Sequence, residues 1–164
     1  MCKFKKKILQ YNEFLEIEKE FHDNYAKCVN WDKPVSERLS YETENDSSIK
    51  IEKRFIKMLG NINGKRILDI GSGSGNAALY LAKKGGIVTS IDIAPELIKG
   101  CKFRAQKNEL TVDFQVMDAQ YLKFTENSFD IIIGFRTIHH LQNIYKFLNS
   151  AFFLFKKRRV YYAC

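Results

Sequence analysis

Apolar residues recur along the chain with two different rhythms. Between residues 10 and about 28, Phe14, Ile17, Phe21, Tyr25 and Cys28 follow one another at intervals of three and four. That spacing predicts an amphipathic helix with these five side chains on one face. Trp31 to Ser48 holds Pro34 and the polar run Glu42-Thr43-Glu44-Asn45-Asp46-Ser47-Ser48, which reads as a connecting loop. Ser47 or Ser48 is placed to cap a second helix. Its buried stripe would be Ile51, Phe55, Met58 and Leu59, with Gly60 and Asn61 at its C-terminal end.

From Lys65 onward short apolar runs alternate with helical stretches, the pattern of a parallel α/β sheet. Strands are predicted over residues 66–70, 87–93, 112–117 and 129–135. Ile131, Ile132 and Ile133 run without interruption, as expected where helices cover both faces of a sheet. Helices are predicted over 76–84, from Pro95 to about Asn108, and from about Leu141 to Phe155, and a fifth strand over 160–163. The expected organisation is an N-terminal helical extension and linker over 1–47, followed by an α/β domain over 48–164.

At 164 residues the chain suits one domain with a hydrophobic core. The net charge of +8 raises the question of a nucleic-acid partner. Its distribution argues against one. Lys3, Lys5, Lys6 and Lys7 at one end and Lys156, Lys157, Arg158 and Arg159 at the other carry eight charges, with no acid among residues 1–7 or 156–164. Without these eight, the remainder of the 27 basic residues only matches the 19 acidic ones. Solvated ends are therefore expected rather than a basic groove. The four cysteines are scattered, without a C-x-x-C pair, which reads as cytosolic thiols. No His/Cys/Asp cluster in the sequence suggests a metal. The basic start meets Gln10-Tyr11-Asn12-Glu13 and continues into neither a signal peptide nor a membrane span, so a cytoplasmic protein is expected.

Asp69-Ile70-Gly71-Ser72-Gly73-Ser74-Gly75 sits where the first strand should hand over to a helix. Glycine lets such a turn pack tightly and lets a ligand touch the backbone. A glycine-rich turn of this kind can also be purely structural. The dinucleotide pattern G-x-G-x-x-G would need glycine at Asn76, and no lysine follows as in a P-loop. An acid two residues before the first glycine suits a cationic group. Asp92 ends the second strand about twenty residues on, where a carboxylate can accept from both hydroxyls of a ribose or simply cap the next helix. Asp118-Ala119 ends the third, and its acid can accept from an exocyclic amine of adenine.

Ile67-Leu68-Asp69-Ile70-Gly71-Ser72-Gly73-Ser74-Gly75, Ser90-Ile91-Asp92-Ile93-Ala94-Pro95-Glu96-Leu97-Ile98, Met117-Asp118-Ala119 and Ser128-Phe129-Asp130-Ile131-Ile132-Ile133, in this order and at this spacing, resemble the motifs of class I S-adenosylmethionine-dependent methyltransferases. Ile138-His139-His140-Leu141 resembles the segment after the fourth strand in the small-molecule, UbiE-like (methyltransferase type 11) branch. The likeness spans about residues 48 to 150. It implies a Rossmann-like three-layer sandwich with a mostly parallel sheet, S-adenosyl-L-methionine as cofactor, and methyl transfer to a small-molecule acceptor. Carried over residue by residue, it implies cofactor binding by Asp69, Gly71, Ser72, Gly73, Gly75, Asp92, Ile93, Asp118, Ala119 and Phe135, with Asp69 near the α-ammonium of the methionine moiety. His139 and His140 are the candidates for a catalytic base, with packing, capping or solvent exposure as the alternative. Arg136 is a candidate for meeting an acidic substrate or the cofactor carboxylate. Gly134-Phe135-Arg136 is unlike the N-P-P-Y type of sequence, which disfavours exocyclic nucleobase amines as acceptors. By analogy with the family, Tyr11, Phe21, Tyr25 and Trp31 form a lid, ordinary helix packing being the alternative.

The likeness fades near Asn149. The family sheet has seven strands, whereas this sequence ends around the fifth, so a domain lacking its C-terminal strands is expected. Lys156-Lys157-Arg158-Arg159 stands where the family carries Lys-Pro-Gly-Gly or Lys-Lys-Gly-Gly, and an A-rich codon run read one base out of register yields it. Two consequences are expected: self-association through an exposed sheet edge, and the alternative that the chain binds cofactor without turnover. A nucleic-acid methyltransferase using the basic ends is a third reading.

Overall fold

A computed structural model of the chain describes residues 2–35, 54–135 and 137–155, with side chains from Gln10 onward. The predicted Ser47 or Ser48 cap, Ile51, Arg136, the Lys156–Arg159 run and the strand over 160–163 lie outside the described residues.

Four parallel strands form the sheet: β1 (Arg66–Ile70), β2 (Ile87–Asp92), β3 (Asp113–Val116) and β4 (Ile131–Ile133), in the order β3-β2-β1-β4. The register pairs Leu68 with Thr89 on one side and with Ile132 on the other. Alternation along each strand divides the core in two, because successive side chains leave opposite faces. Ile67, Ile131 and Ile133 face a cluster with Leu79 and Leu81 of α2 (Asn76–Lys83), Ile98 and Cys101 of α3 (Pro95–Lys107), and Phe55 and Leu59 of helical residues 54–59. Leu68, Ile70 and Ile132 face the other cluster, with Phe147, Ala151 and Leu154 of α4 (Ile144–Leu154). The three layers are those of the expected Rossmann-like α/β fold. The fully buried Ile131-Ile132-Ile133 run follows from helices on both faces.

The strand order fixes where a ligand can sit. The chain runs outward from β1 to β2 and β3, then crosses to β4 on the other side of β1. Loops leaving the carboxyl ends of β1 and β4 therefore diverge, and open sheets bind ligands in that crevice.

Several boundaries shift from the sequence reading. The fourth strand shortens to three residues, and Phe129 instead forms a lone parallel bridge with Phe155. Asn143 caps α4, its side chain accepting from the Lys146 N–H, so that helix starts three residues after Leu141. Met58, expected in a buried stripe, is exposed, and Ile62 is buried instead.

The first helix, α1 (Cys2–Ala26), begins well before residue 10, and its apolar face is largely exposed. Ile17 and Phe21 are 66% and 64% exposed, and Tyr25 and Cys28 are exposed too. Its contacts lie on another side. Ala26 packs with Ala94 and Leu97, and Asp23 accepts from the Glu96 N–H at the start of α3. Tyr11 and Glu18 reach loops at the carboxyl ends of the strands. Periodicity identifies an amphipathic helix, but not whether its apolar stripe meets a core or overlooks a cavity. Trp31 packs so closely on α3 that a Cβ on Gly100 would lie 2.3 Å from its ring.

Arg104 fastens this N-terminal segment to the glycine turn. Its buried guanidinium donates to Lys33 O, Pro34 O and Ser74 O at 2.9–3.0 Å. A buried cation needs such partners to offset its desolvation. No helix among the described residues is long and apolar enough to cross a membrane.

Candidate functional site

A cavity of about 400 Å³ opens at the carboxyl ends of all four strands, within the size range of small-molecule sites. The β1 loop contributes Gly71 to Ser74, the β2 end Asp92 and Ile93, the β3 end Asp118 and Ala119, and the β4 end Phe135 and Thr137. α1 crosses its mouth with Phe14, Glu18, His22 and Tyr25.

The glycine turn is held from several sides. The Gly71 and Ser72 N–H groups both donate to Ile91 O, at 2.8 and 2.9 Å. Gly71 has φ +79°, and a Cβ there would lie 2.1 Å from Thr137 Oγ1. That hydroxyl donates to Ile70 O at 2.8 Å, so β4's loop is pinned against the turn. At Gly73 a Cβ would meet nothing within 4 Å, which leaves the backbone open toward the cavity.

The Asp92 carboxylate ties the glycine turn to Ala94, the residue before α3, instead of capping that helix. One carboxylate oxygen accepts from the Ala94 N–H and the other from the Gly73 N–H, each at 3.0 Å. The residue also lines the cavity. Each carboxylate oxygen retains capacity for a further donor. Burial raises the pKa of Asp92, against which the backbone donors work.

Asp69 lies beneath the turn rather than in the cavity wall. Ser90 Oγ donates to its Oδ2 at 2.7 Å and in turn accepts from Ser72 Oγ, also at 2.7 Å. Its buried Oδ1 has no hydrogen-bond partner. Burial raises its pKa from 3.8 to about 7, with Asp92 adding to the shift and the Ser90 hydrogen bond opposing it. Between about pH 4 and 7 the unfolded chain loses this proton while the folded chain keeps it. Stability contributed at this site therefore falls as pH rises through that window and levels off above it. The stability difference between wild type and Asp69→Asn is expected to shift in the variant's favour by a few kcal/mol from pH 5 to pH 8. Urea unfolding at the two pH values measures it, and a difference independent of pH would contradict the assignment.

Asp118 lines the cavity, but α1 already engages it. The Tyr11 hydroxyl donates to its Oδ2, and the Gln120 N–H donates to Oδ1 at 2.9 Å. Gln120 then donates to the Tyr11 oxygen at 2.7 Å and accepts from the Asn143 N–H at 2.8 Å. Burial and the Asp118 carboxylate push the Tyr11 phenol above its ordinary pKa.

Of the remaining candidates, Ile93, Ala119 and Phe135 line the cavity. Gly75 faces away from it, and a Cβ there would lie 2.9 Å from Cys101 Sγ. His139 is exposed and outside the lining, so only His140 of the pair faces the cavity. Of the four suggested lid aromatics, Phe21 and Tyr25 line the cavity, Tyr11 reaches Asp118, and Trp31 donates to Ala26 O away from it.

One grouping escaped the sequence reading. Glu18 Oε2 lies 3.0 Å from His140 Nδ1 and 3.5 Å from His22 Nε2. Folding thus brings together three side chains that could ligate a metal, although the sequence shows no such cluster along its length. Glu18 and His22 stand four apart on α1, and that spacing was readable. Their meeting with a residue 118 positions later was not.

These residues fit S-adenosylmethionine. The turn offers open backbone at Gly73, Asp92 presents an acid at the second strand's end, and buried Asp69 keeps an unpaired oxygen.

Comparison with known proteins points the same way. A family described as a methyltransferase domain matches residues 68–158, more than half of the chain. An uncharacterized protein of Mycobacterium tuberculosis is 43% identical over 71 residues, 43% of this chain and 26% of that protein. A ubiquinone biosynthesis O-methyltransferase of Coxiella burnetii is 29% identical over 106 residues, 65% of this chain and 45% of that enzyme. The crystal structure of a SAM-dependent methyltransferase from Aquifex aeolicus superimposes with a TM-score of 0.57 at 25% identity, covering 69% of this chain and 63% of that one. The chain thus spans less than half the length of these two sequence relatives. On motif order, sheet topology and family match together, this chain belongs to the S-adenosylmethionine-dependent methyltransferase domain family.

Proposed function

We propose that the chain transfers a methyl group from S-adenosylmethionine to an oxygen of a small, largely apolar molecule. The observation that carries this reading is the Glu18–His22–His140 cluster, set in the cavity lining among Phe14, Phe21, Tyr25 and Leu141. Bound S-adenosylmethionine supplies a methyl group already activated by its sulfonium. The protein's work is then to orient the acceptor, exclude water and deal with charge at the acceptor atom.

The backbone of Gly71 to Ser74 holds the methionine end, with Asp69 beneath it. Asp92 takes the ribose hydroxyls. Asp118 and Ala119 meet the adenine edge, while Ile93 and Phe135 provide apolar wall. Phe14, Phe21 and Tyr25 cover the acceptor's apolar body from α1. An acceptor hydroxyl must give up its proton as the methyl arrives, and polar groups gathered at one point of an otherwise apolar wall suit an oxygen nucleophile. The name of the Coxiella relative, an O-methyltransferase, agrees with this choice.

The test is a panel of hydroxylated aromatic compounds and matched amines, incubated with the chain and S-adenosylmethionine and read by mass spectrometry. Methyl ethers are expected. His140→Ala is expected to lower kcat/KM by roughly 100-fold, in the range for a positioned polar group at a reacting atom. Exclusive amine methylation, or cofactor binding with no turnover across the panel, would overturn the proposal.

A further inference from the structure

Glu18, His22 and His140 form a compact set of ligand atoms that the cofactor does not account for. We propose that they hold a divalent first-row transition-metal ion, of which Zn²⁺ is the representative, with its open coordination position directed to the acceptor oxygen. The proposal rests on the functional reading above and adds the means by which the acceptor is held.

The geometry is the first argument. Oε2 of Glu18 lies 3.0 Å from His140 Nδ1 and 3.5 Å from His22 Nε2, and all three ligand atoms lie within 4.8 Å of one another. At a tetrahedral centre with metal–ligand bonds of about 2.1 Å, ligand atoms stand roughly 3.4 Å apart. Two of the three separations already approach that value.

Architecture is the second. Glu18 and His22 stand on one face of a long helix at i and i+4, the spacing by which helices present paired metal ligands. His140 comes from the short 3-10 helix Ile138–His140 after β4. Two separate elements therefore converge on one point, and each of the three residues is half-buried. Two imidazoles and one carboxylate are a donor set suited to Zn²⁺ or Fe²⁺, whereas Mg²⁺ and Ca²⁺ prefer oxygen alone.

Location is the third. All three residues line the same cavity as Gly71, Asp92 and Asp118. With one carboxylate and two neutral imidazoles, a divalent ion leaves a net positive charge in the cavity wall. That charge favours an acceptor bound as its oxyanion, its proton having passed to solvent.

The test uses the tag-free chain stripped with chelator and titrated with Co²⁺, then competed with Zn²⁺. The expected result is one ion per chain, with the visible d–d absorption of a low-coordinate cobalt site. Glu18→Gln, His22→Ala and His140→Ala are each expected to weaken binding at least about tenfold. Circular dichroism establishes that the helices persist in each variant. Cys28→Ser, which removes an exposed thiol outside the cluster, is expected to bind as wild type does. Absence of stoichiometric Co²⁺ binding, or unchanged affinity in all three cluster variants, would overturn the metal site. S-adenosylhomocysteine affinity, measured on the same samples, separates the two claims. Nucleoside binding by a chain that fails to take up Co²⁺ defeats the metal inference alone, whereas failure of the wild type to bind the nucleoside defeats the functional reading.

Discussion

Gly71→Ala is expected to reduce affinity for S-adenosylmethionine by more than about 100-fold and to cost roughly 2–4 kcal/mol of stability. The φ of +79° already disfavours a side chain. The larger effect is collision, because the new Cβ would lie 2.1 Å from Thr137 Oγ1 and 2.8 Å from Thr137 Cγ2. Thr137 cannot swing aside without breaking its hydrogen bond to Ile70 O. The turn must move instead, taking the Gly73 N–H away from Asp92. Thr137→Ala in the same chain removes both nearest atoms and is expected to restore part of the affinity. Gly73→Ala supplies the contrast. Its Cβ meets nothing, so the fold should lose only about 1 kcal/mol while the cofactor loses space. Calorimetric titration with S-adenosylhomocysteine and thermal unfolding separate these outcomes. Equal behaviour of Gly71→Ala and Gly73→Ala would contradict the account of the turn.

Asp92→Ala is expected to have an effect at least as large on binding. Hydrogen bonds to a charged group contribute about 1.5–3 kcal/mol each, and two to a ribose correspond to roughly 100-fold or more. The alanine variant also frees the Gly73 and Ala94 N–H groups. Asp92→Asn is expected to resemble alanine more than wild type. The carboxylate accepts one backbone N–H on each oxygen, whereas an amide would turn an NH₂ toward one of those donors. Near-normal affinity in Asp92→Asn would mean that the acid is not a ribose acceptor.

The parallel core was the most legible part of the chain. β1 begins and ends where the apolar run predicts, and α2 and α3 match to within a residue. Glycine and proline punctuate these elements, and β1 and β4 are buried on both faces, so local pattern and tertiary packing agree there. They part company in α1. Its Ile17 and Phe21 obey helical spacing yet remain exposed, and Phe21 borders a cavity instead of entering a core. The strand-end acids were legible through their spacing from the glycine turn. Their partners were not. Tyr11 on Asp118 and Glu18 on His140 join residues more than a hundred positions apart. Burial of Asp69 beneath the turn likewise depends on Ser90, contributed by the neighbouring strand.

Tyr11 has a bearing on how the site fills. Its hydroxyl donates to an oxygen of Asp118 that adenine would use in the proposed binding mode, so α1 and the nucleoside would then meet at one carboxylate. The short Gln120–Tyr11 contact keeps that hydroxyl in place.

A crystal structure of the chain with S-adenosylhomocysteine tests the central claim most directly. The nucleoside is expected in the cavity beneath α1, its ribose hydroxyls on Asp92, its adenine beside Asp118 and Ala119, and its amino-acid end along Gly71 to Ser74. Density for the nucleoside elsewhere, or a ribose turned away from Asp92, would contradict the account.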